Sequence, residues 1–383
     1  MTGSHRRPKR IAIVGGSAAG FFAARLLARA GQHVSVFERD DRLDPTPRTL
    51  IVTTHFRELL GASADSAVVN EIRQFEMFAD GRVADVHLAR PDLIIERSRL
   101  IRGLAEESAA AGTQVCLRRN FLGVQAAGTE LSVAFGDRDS ASQEEVRADA
   151  VVGADGAFSR VAQAAGWPSQ PTVPLVQALV EWPRNVSPHT VRVWFVPEDT
   201  PYFYWLIPES PSKGVLGLIG LDGKDTRRCL DRFLVRQQLT PFSFQGARIP
   251  LYERWIPVRR KVGQGDVYLV GDAAGQVKVT TVGGIVTGLR GAIGVTEALL
   301  NGGSSVELKA LRRELDLHLW IRRSLHRFTQ ADYCRLFDLL SASTLAPLRL
   351  HHRDEVGKIL WRLCVRQPRL LLLGIRGLLI GRH

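Results

Sequence analysis

The stretch from Ile11 to Asp40 limits what this chain can fold into more than any other. Ile11-Ala12-Ile13-Val14 is a short apolar run. Gly15-Gly16-Ser17-Ala18-Ala19-Gly20 follows, then residues rich in Ala, Leu and Arg to Ala30, then a second apolar run ending at Glu38. Small and β-branched residues bounded by glycine read as a strand buried on both faces, and Phe21 to Ala30 reads as helix. Gly31 falls where a helix C-terminus calls for a positive φ. The order is strand, glycine turn, helix, strand.

Such a unit is suited to holding a dinucleotide. Gly15 permits the tight turn, a small residue next lets a pyrophosphate approach the backbone, Gly20 lets helix and strand pack closely, and the free amides at Ala18 and Ala19 face the phosphates. Ser17 stands where a second glycine is usual. Its hydroxyl narrows the approach and adds a possible phosphate donor. Glu38, with Arg39 beside it, ends the second strand, where an acid accepts hydrogen bonds from a ribose diol and disfavours a 2′-phosphate.

At 383 residues the chain has room for two or three modules, and with 45% hydrophobic and 23% charged residues its composition is that of a globular protein. The formal charge of +12 comes from arginine, because only seven of the 51 basic residues are lysine. No zinc pattern, RNP sequence or basic-aromatic interleaving accompanies it, so nucleic acid is not the expected partner. Cys116, Cys229, Cys334 and Cys364 lack CxxC spacing and read as reduced packing residues, so no metal site is expected. Arg6, Arg7, Lys9 and Arg10 lead straight into the first strand rather than a signal sequence, and no apolar run is long enough to span a bilayer. The expectation is a cytoplasmic protein.

Further along, Asp44 to Arg48 reads as loop, Thr49 to Thr54 as strand and His55 to Leu60 as a short helix. Alternation around Asp80-Gly81 predicts a hairpin over Phe75 to Leu88. A helix ending near Gly112 has Ser98 as its expected N-cap. Val115 to Arg118 reads as a strand, Val124 to Phe135 as a hairpin and Ala148 to Val152 as a buried strand. Three more strand-end turns carry chemistry. Gly153-Ala154-Asp155-Gly156 precedes a helix capped by Ser159. Gly271-Asp272-Ala273-Ala274-Gly275 places a carboxylate at a strand end. Gly283-Gly284 open a helix to Leu300, whose N-terminal amides stabilise negative charge.

Taken in order, the glycine fingerprint with Glu38, the GADG segment and the late GDAA segment resemble the FAD-dependent monooxygenase and related oxidoreductase superfamily over roughly residues 10 to 300. The resemblance implies an α/β fold: a Rossmann-like FAD-binding domain (10–75, 90–165 and 260–300) interleaved with a mixed β-sheet substrate domain (76–89 and 166–259), plus a helical C-terminal region (301–383). It also implies that Gly15, Ser17 and Gly20 face the FAD pyrophosphate, that Glu38 holds the adenosine ribose, that Arg97 lies near the dinucleotide, and that Asp272 holds the ribityl chain or pyrophosphate. Asp155 and Gly156 match a segment that supports FAD and reduced nicotinamide cofactor, although that segment's later arginine is Ala162 here. NADH, NADPH or another donor is the expected source of electrons.

Three branches of the superfamily are similar in different places. Residues Gly271 to Gly288 (GDAAGQVKVTTVGGIVTG), with Tyr204-Trp205, Pro208 and Gly217, look most like geranylgeranyl reductases, which hydrogenate isoprenoid double bonds. The cysteine- and glycine-rich segment of that branch is replaced by RTLIVTTHFRELL at Arg48 to Leu60. Phe203 to Pro208 resembles the WxWxIP signature of flavin halogenases. That chemistry needs a lysine from the first half of the chain, and none lies between Lys9 and Lys213. Single-component hydroxylases leave oxygen chemistry to a flavin C4a-hydroperoxide and ask the protein to bind, orient and exclude water. The sequence reading is therefore a monooxygenase that hydroxylates or epoxidises an apolar, aromatic or prenylated small molecule. A reductase of isoprenoid double bonds is the alternative, and a non-catalytic FAD-fold binding protein is the reading from another class.

On the substrate side the candidates are His55, Arg57, Arg73, Tyr204 and Trp205, with no general base identified. Because strand residues alternate, only one of Tyr204 and Trp205 is expected to line the cavity. In the tail, Arg362, Arg366, Arg369 and Arg376 form one basic stripe if Trp361 to His383 is helical, beside leucine-rich surface. Docking on anionic lipid is the sharper expectation there, and a helix packed over the substrate domain the plainer one.

Overall fold

The computed structural model describes residues 7–43, 45–137 and 142–379. Asp44, Arg6 and the last residues of the tail, Ile380 to His383, lie outside the described residues.

Two large sheets organise the chain. The first has six strands in the spatial order Arg259–Val262, Gly265–Leu269, Ala150–Gly153, Arg10–Val14, His33–Phe37 and Gln114–Cys116. All its neighbours pair in parallel except the Arg259–Val262 edge. Strands buried on both faces need apolar residues at every position, and Ile11 to Val14 and Ala150 to Val152 are indeed fully buried. Helices Ala18–Arg29, Arg97–Ala110 and Ile285–Leu300 belong to this layer. The fold is α/β with a Rossmann-like cofactor layer, as the motif order implies.

The glycine turn is imposed by sterics. Gly15 has φ +105°, and a Cβ there would lie 2.6 Å from the Ala154 carbonyl oxygen. A Cβ on Gly20 would lie 2.4 Å from the Gly15 carbonyl oxygen, so helix Ala18–Arg29 can sit this close to its strand only without a side chain at that point. Ser17 caps the helix, accepting from the Gly20 amide at 3.2 Å.

The second sheet has eight strands in the order Pro241–Pro250, Thr172–Glu181, Lys213–Ile219, Tyr204–Pro208, Thr190–Trp194, Val68–Ala79, Arg82–Glu96 and Thr49–Val52. It is antiparallel except where Thr190–Trp194 runs parallel to Val68–Ala79. The Asp80-Gly81 turn joins two strands much longer than the expected hairpin, and their pairing shifts register between the Ile72–Asp92 and Gln74–His87 pairs. Helix Gly223–Arg236 covers one face of this sheet, with Phe233 stacked on Tyr204 at 3.9 Å. A small sheet of Asn120–Ala127, Glu130–Gly136 and Gln143–Ala148, and five helices from Val306 to Leu379, complete the molecule.

Three local expectations are corrected. Glu96, not Ser98, caps helix Arg97–Ala110: it ends its strand in an extended conformation, and its carboxylate accepts from the Ser98 and Arg99 amides, both at 2.9 Å. The strand expected to reach Arg118 stops at Cys116, because Arg118 turns to φ +58°. The tail is two helices, Val356–Arg366 and Pro368–Leu379, since Pro368 cannot donate the hydrogen bond that would continue the first. Its arginines therefore do not form one continuous stripe.

Candidate active site

Both sheets line one cavity of about 850 Å³. Its two ends differ in chemistry. One end is walled by Gly15 to Ala19, Glu38, Arg39, Arg97, Asp155, Asp272, Gly283 and Gly284. The other is walled by Phe75, Met77, Leu175, Val193, Phe195, Phe203, Trp205 and Ile207.

At the polar end, Glu38 accepts from the Gly16 amide at 2.6 Å and from the Asp40 amide at 3.1 Å, which holds its carboxylate at the end of its strand. Arg48 and Arg97 also face this end, and burial lowers the pKa of both guanidiniums. Neither forms a salt bridge with a described carboxylate; Asp272 acts on each only at longer range. Burial in turn pushes the Asp272 carboxyl up against the pull of Arg97 and Arg48. Two recessed cations without a salt bridge to any described carboxylate, beside the amides of a glycine turn, ask for an anionic group between them. Gly284 keeps the second helix N-terminus close to this carboxylate, since a Cβ there would lie 3.1 Å from Asp272 Oδ1.

Asp155 lines the cavity, but its carboxylate is engaged by the chain itself. It accepts from the Ser159 hydroxyl at 2.6 Å and from the Arg160 and Val161 amides at 2.7 and 3.2 Å. Its pKa is raised by burial despite those bonds. Gly20 does not face the cavity; it serves the packing beneath the turn.

At the apolar end, alternation along Tyr204–Pro208 and the residue before it decides orientation. Phe203, Trp205 and Ile207 point into the cavity, while Tyr204 packs on Phe233 and donates to Asp199 at 2.9 Å. Gly217, opposite Trp205 in the ladder, makes room for the indole: a Cβ there would lie 2.5 Å from Trp205 Cζ2. Of the other candidates, Arg73 lies outside the cavity, near Glu71 at 3.6 Å. Arg57 is held by Asp65 and Glu71 at 2.9 and 3.0 Å. His55 also lies outside the cavity lining, with Nδ1 3.9 Å from Asp354.

The sequence reading missed four charged residues at this end. Lys278, on the segment between the GDAA turn and helix Ile285–Leu300, lines the cavity and forms a buried ion pair with Asp354. Arg353 also lines it and binds Asp92 at 2.6 Å. Burial is the largest influence on Asp354 and pushes its pKa up, yet the Lys278 ammonium, the Thr53 hydroxyl and Arg353 together draw it well below the usual carboxylate range. A lone lysine between Val277 and Val279 was the available signal; Asp92 and the Arg353-Asp354 pair carry none, since their partners are far away in sequence.

The glycine turn, the strand-end carboxylate of Glu38 and the two recessed arginines fit an FAD molecule, and the site defines a flavin-dependent oxidoreductase. The chain belongs to the FAD-binding domain family, whose model matches residues 9–302. It is 28% identical over 318 residues to a geranylgeranyl diphosphate reductase of Rhodobacter capsulatus, covering 78% of each chain. A digeranylgeranylglycerophospholipid reductase of Methanopyrus kandleri is 28% identical over 306 residues, covering 73% of this chain and 74% of the relative. Among solved structures, a geranylgeranyl bacteriochlorophyll reductase-like protein of Thermoplasma acidophilum superposes with a TM-score of 0.79 at 18% identity, over 95% of this chain and 98% of that one. Among the described residues, no helix is long and apolar enough to cross a membrane.

Proposed function

We propose that this flavoenzyme reduces carbon–carbon double bonds in a prenyl chain. The observation that carries the reading is the state of the polar groups at the apolar end. Lys278 is bound to Asp354, Arg353 to Asp92, and Gln177 donates to Gln245 at 2.7 Å. None of these three is an unpaired carboxylate or imidazole, the kind of group that deprotonates a phenol in hydroxylation of activated rings. An isolated double bond carries no hydroxyl to deprotonate or orient. It needs a dry slot of matching shape, which Phe203, Trp205, Ile207 and Val193 supply.

FAD, when bound and reduced, supplies the hydride. The protein's part is to hold the cofactor through Glu38, Arg97 and the Gly15–Ala19 turn, and to lay an apolar chain against the Trp205 wall with water excluded. One carbon would gain the hydride and its neighbour a proton delivered by a single water molecule, bulk water being excluded. A two-electron donor would be needed to regenerate the reduced cofactor, and NADH and NADPH are the first to test. The reductases among the relatives support this reading.

The monooxygenase reading keeps one observation in its favour. Phe75, Phe195, Phe203 and Trp205 offer aromatic faces on which a ring could stack. Anaerobic turnover of a prenyl alcohol with chemically reduced enzyme separates the two. A product heavier by two hydrogens supports reduction; dependence on oxygen, with gain of one oxygen atom, overturns it.

A further inference from the structure

The two tail helices, Val356–Arg366 and Pro368–Leu379, are apolar on two sides. One side packs inward: Ile359 and Leu373 are buried, and Gly377 lies so close to helix Val306–Leu325 that a Cβ would be 2.6 Å from Ser324 Oγ. On the other side Trp361 is 72% exposed and Leu372 66%, and Val365, Leu371 and Ile375 are exposed with them. Trp361 and Val365 share a face by their spacing of four, as do Leu371 and Ile375.

The charge on these helices is all of one sign. Residues 356–379 contain Lys358, Arg362, Arg366, Arg369 and Arg376 and no aspartate or glutamate. Two of the five are paired with acids from outside the helices: Lys358 with Glu355, and Arg376 with Asp332 at 3.4 Å. Arg362 reaches the His351 ring and Arg366 the Ser343 carbonyl, contacts that leave their charge uncompensated.

We propose that this pair of helices is a docking face for an anionic lipid bilayer. Bulky apolar side chains, one of them a tryptophan, flanked by arginines with no acid among them, match the boundary between acyl chains and negative headgroups: the apolar groups enter the boundary and the arginine stems lie along it with their guanidiniums at the phosphates. The helices are too short and too charged to span, so the protein lies on the surface. The position also matters. Arg353, in the cavity wall, stands three residues before the first docking helix, so the segment His351–Glu355 links the lipid-facing surface to the wall of the apolar slot.

Flotation of full-length, FAD-loaded protein tests this without any substrate or turnover, so its outcome is independent of the reaction proposed above. Vesicles of phosphatidylcholine with phosphatidylglycerol are expected to carry the protein at low salt, and phosphatidylcholine alone is not. Replacing Arg362, Arg366 and Arg369 by Gln is expected to weaken binding to the anionic vesicles about 100-fold. The double variant Trp361→Ser/Leu372→Ser is expected to abolish flotation while keeping bound FAD and the wild-type melting profile. Should that variant not fold, brominated acyl chains give a second readout: they quench wild-type fluorescence more than that of Trp361→Phe. Equal binding to both vesicle types, binding unchanged in the arginine variant, or equal quenching of wild type and Trp361→Phe would overturn the proposal. So would light scattering that shows a dimer split by the Ser variant, because the occupant would then be a second copy of the chain.

Discussion

The two ends of the cavity handle charge in opposite ways. At the glycine end, Arg48 and Arg97 are recessed without a salt bridge to any described carboxylate, and Glu38, in the cavity lining, is held by the Gly16 and Asp40 amides. At the apolar end, Lys278, Asp354, Arg353 and Asp92 close on one another. The first end is completed by an anionic ligand. The second is complete by itself and offers a ligand only shape. A charged residue in a cavity wall is thus no guide to chemistry until its partners are known.

Substitutions can break this contrast. Lys278→Met leaves Asp354 charged and buried without its ammonium, and is expected to cost about 3–5 kcal/mol of stability with FAD affinity little changed. Adding Asp354→Leu should restore most of it, as read from denaturant midpoints. If Lys278→Met instead leaves stability intact and abolishes turnover, Lys278 belongs to the chemistry and the contrast fails.

The strand through Tyr204 and Trp205 provides a second comparison within a single ladder. Tyr204→Ala empties a packed core beside Phe233 and is expected to lose about 3–5 kcal/mol. Trp205→Ala opens the cavity wall and is expected to weaken substrate about tenfold with FAD content retained. Melting curves and flavin content of the two purified variants check the split, and equal flavin loss in both would contradict it.

At the glycine end the expected effect is on the cofactor. Arg97→Ala removes a charged donor from the cofactor end of the cavity and should weaken FAD about 30-fold, close to 2 kcal/mol, with the apoprotein's melting unchanged. Bound flavin per chain after dialysis measures it.

The smallest expected effect comes from His318, behind the apolar end. Its Nδ1 lies 2.6 Å from the Thr280 hydroxyl, and burial, with Lys278 adding to it, pulls the imidazole from 6.5 down to about 3. A base whose folded pKa is depressed stays neutral in the fold and gains a proton on unfolding. Its contribution is therefore full above the unfolded value of 6.5 and is lost as pH falls toward 3. The loss should reach about 2 kcal/mol near pH 5, and His318→Gln should flatten that part of the stability profile.

Much of the cofactor layer was legible because its signals are local. Ile11 to Glu38 encodes strand, turn, helix and strand within one continuous segment, and Gly15 and Gly20 are required by contacts that the turn itself creates. Gly31, at φ +76°, and the Asp80-Gly81 turn were readable for the same reason. The alternation that separates Trp205 from Tyr204 also follows from strand geometry alone, although which face meets the cavity does not.

What tertiary structure decided lies in contacts between distant residues. Glu96 displaced Ser98 as helix cap because its carboxylate also accepts from the Arg48 amide, 48 positions away, at 3.1 Å. Lys278 and Asp354 are 76 residues apart, and Thr53 and Asp354 301 apart, so no spacing rule could join them. Arg73 and His55, plausible by residue type, were carried outside the cavity by strand and helix geometry. The sequence determined where a dinucleotide could be held, because backbone sterics and helix ends act over a few residues. Which charges are free and which are matched was settled only when the C-terminal segment folded back onto the cavity wall, because neutralising a buried charge depends on distance in space.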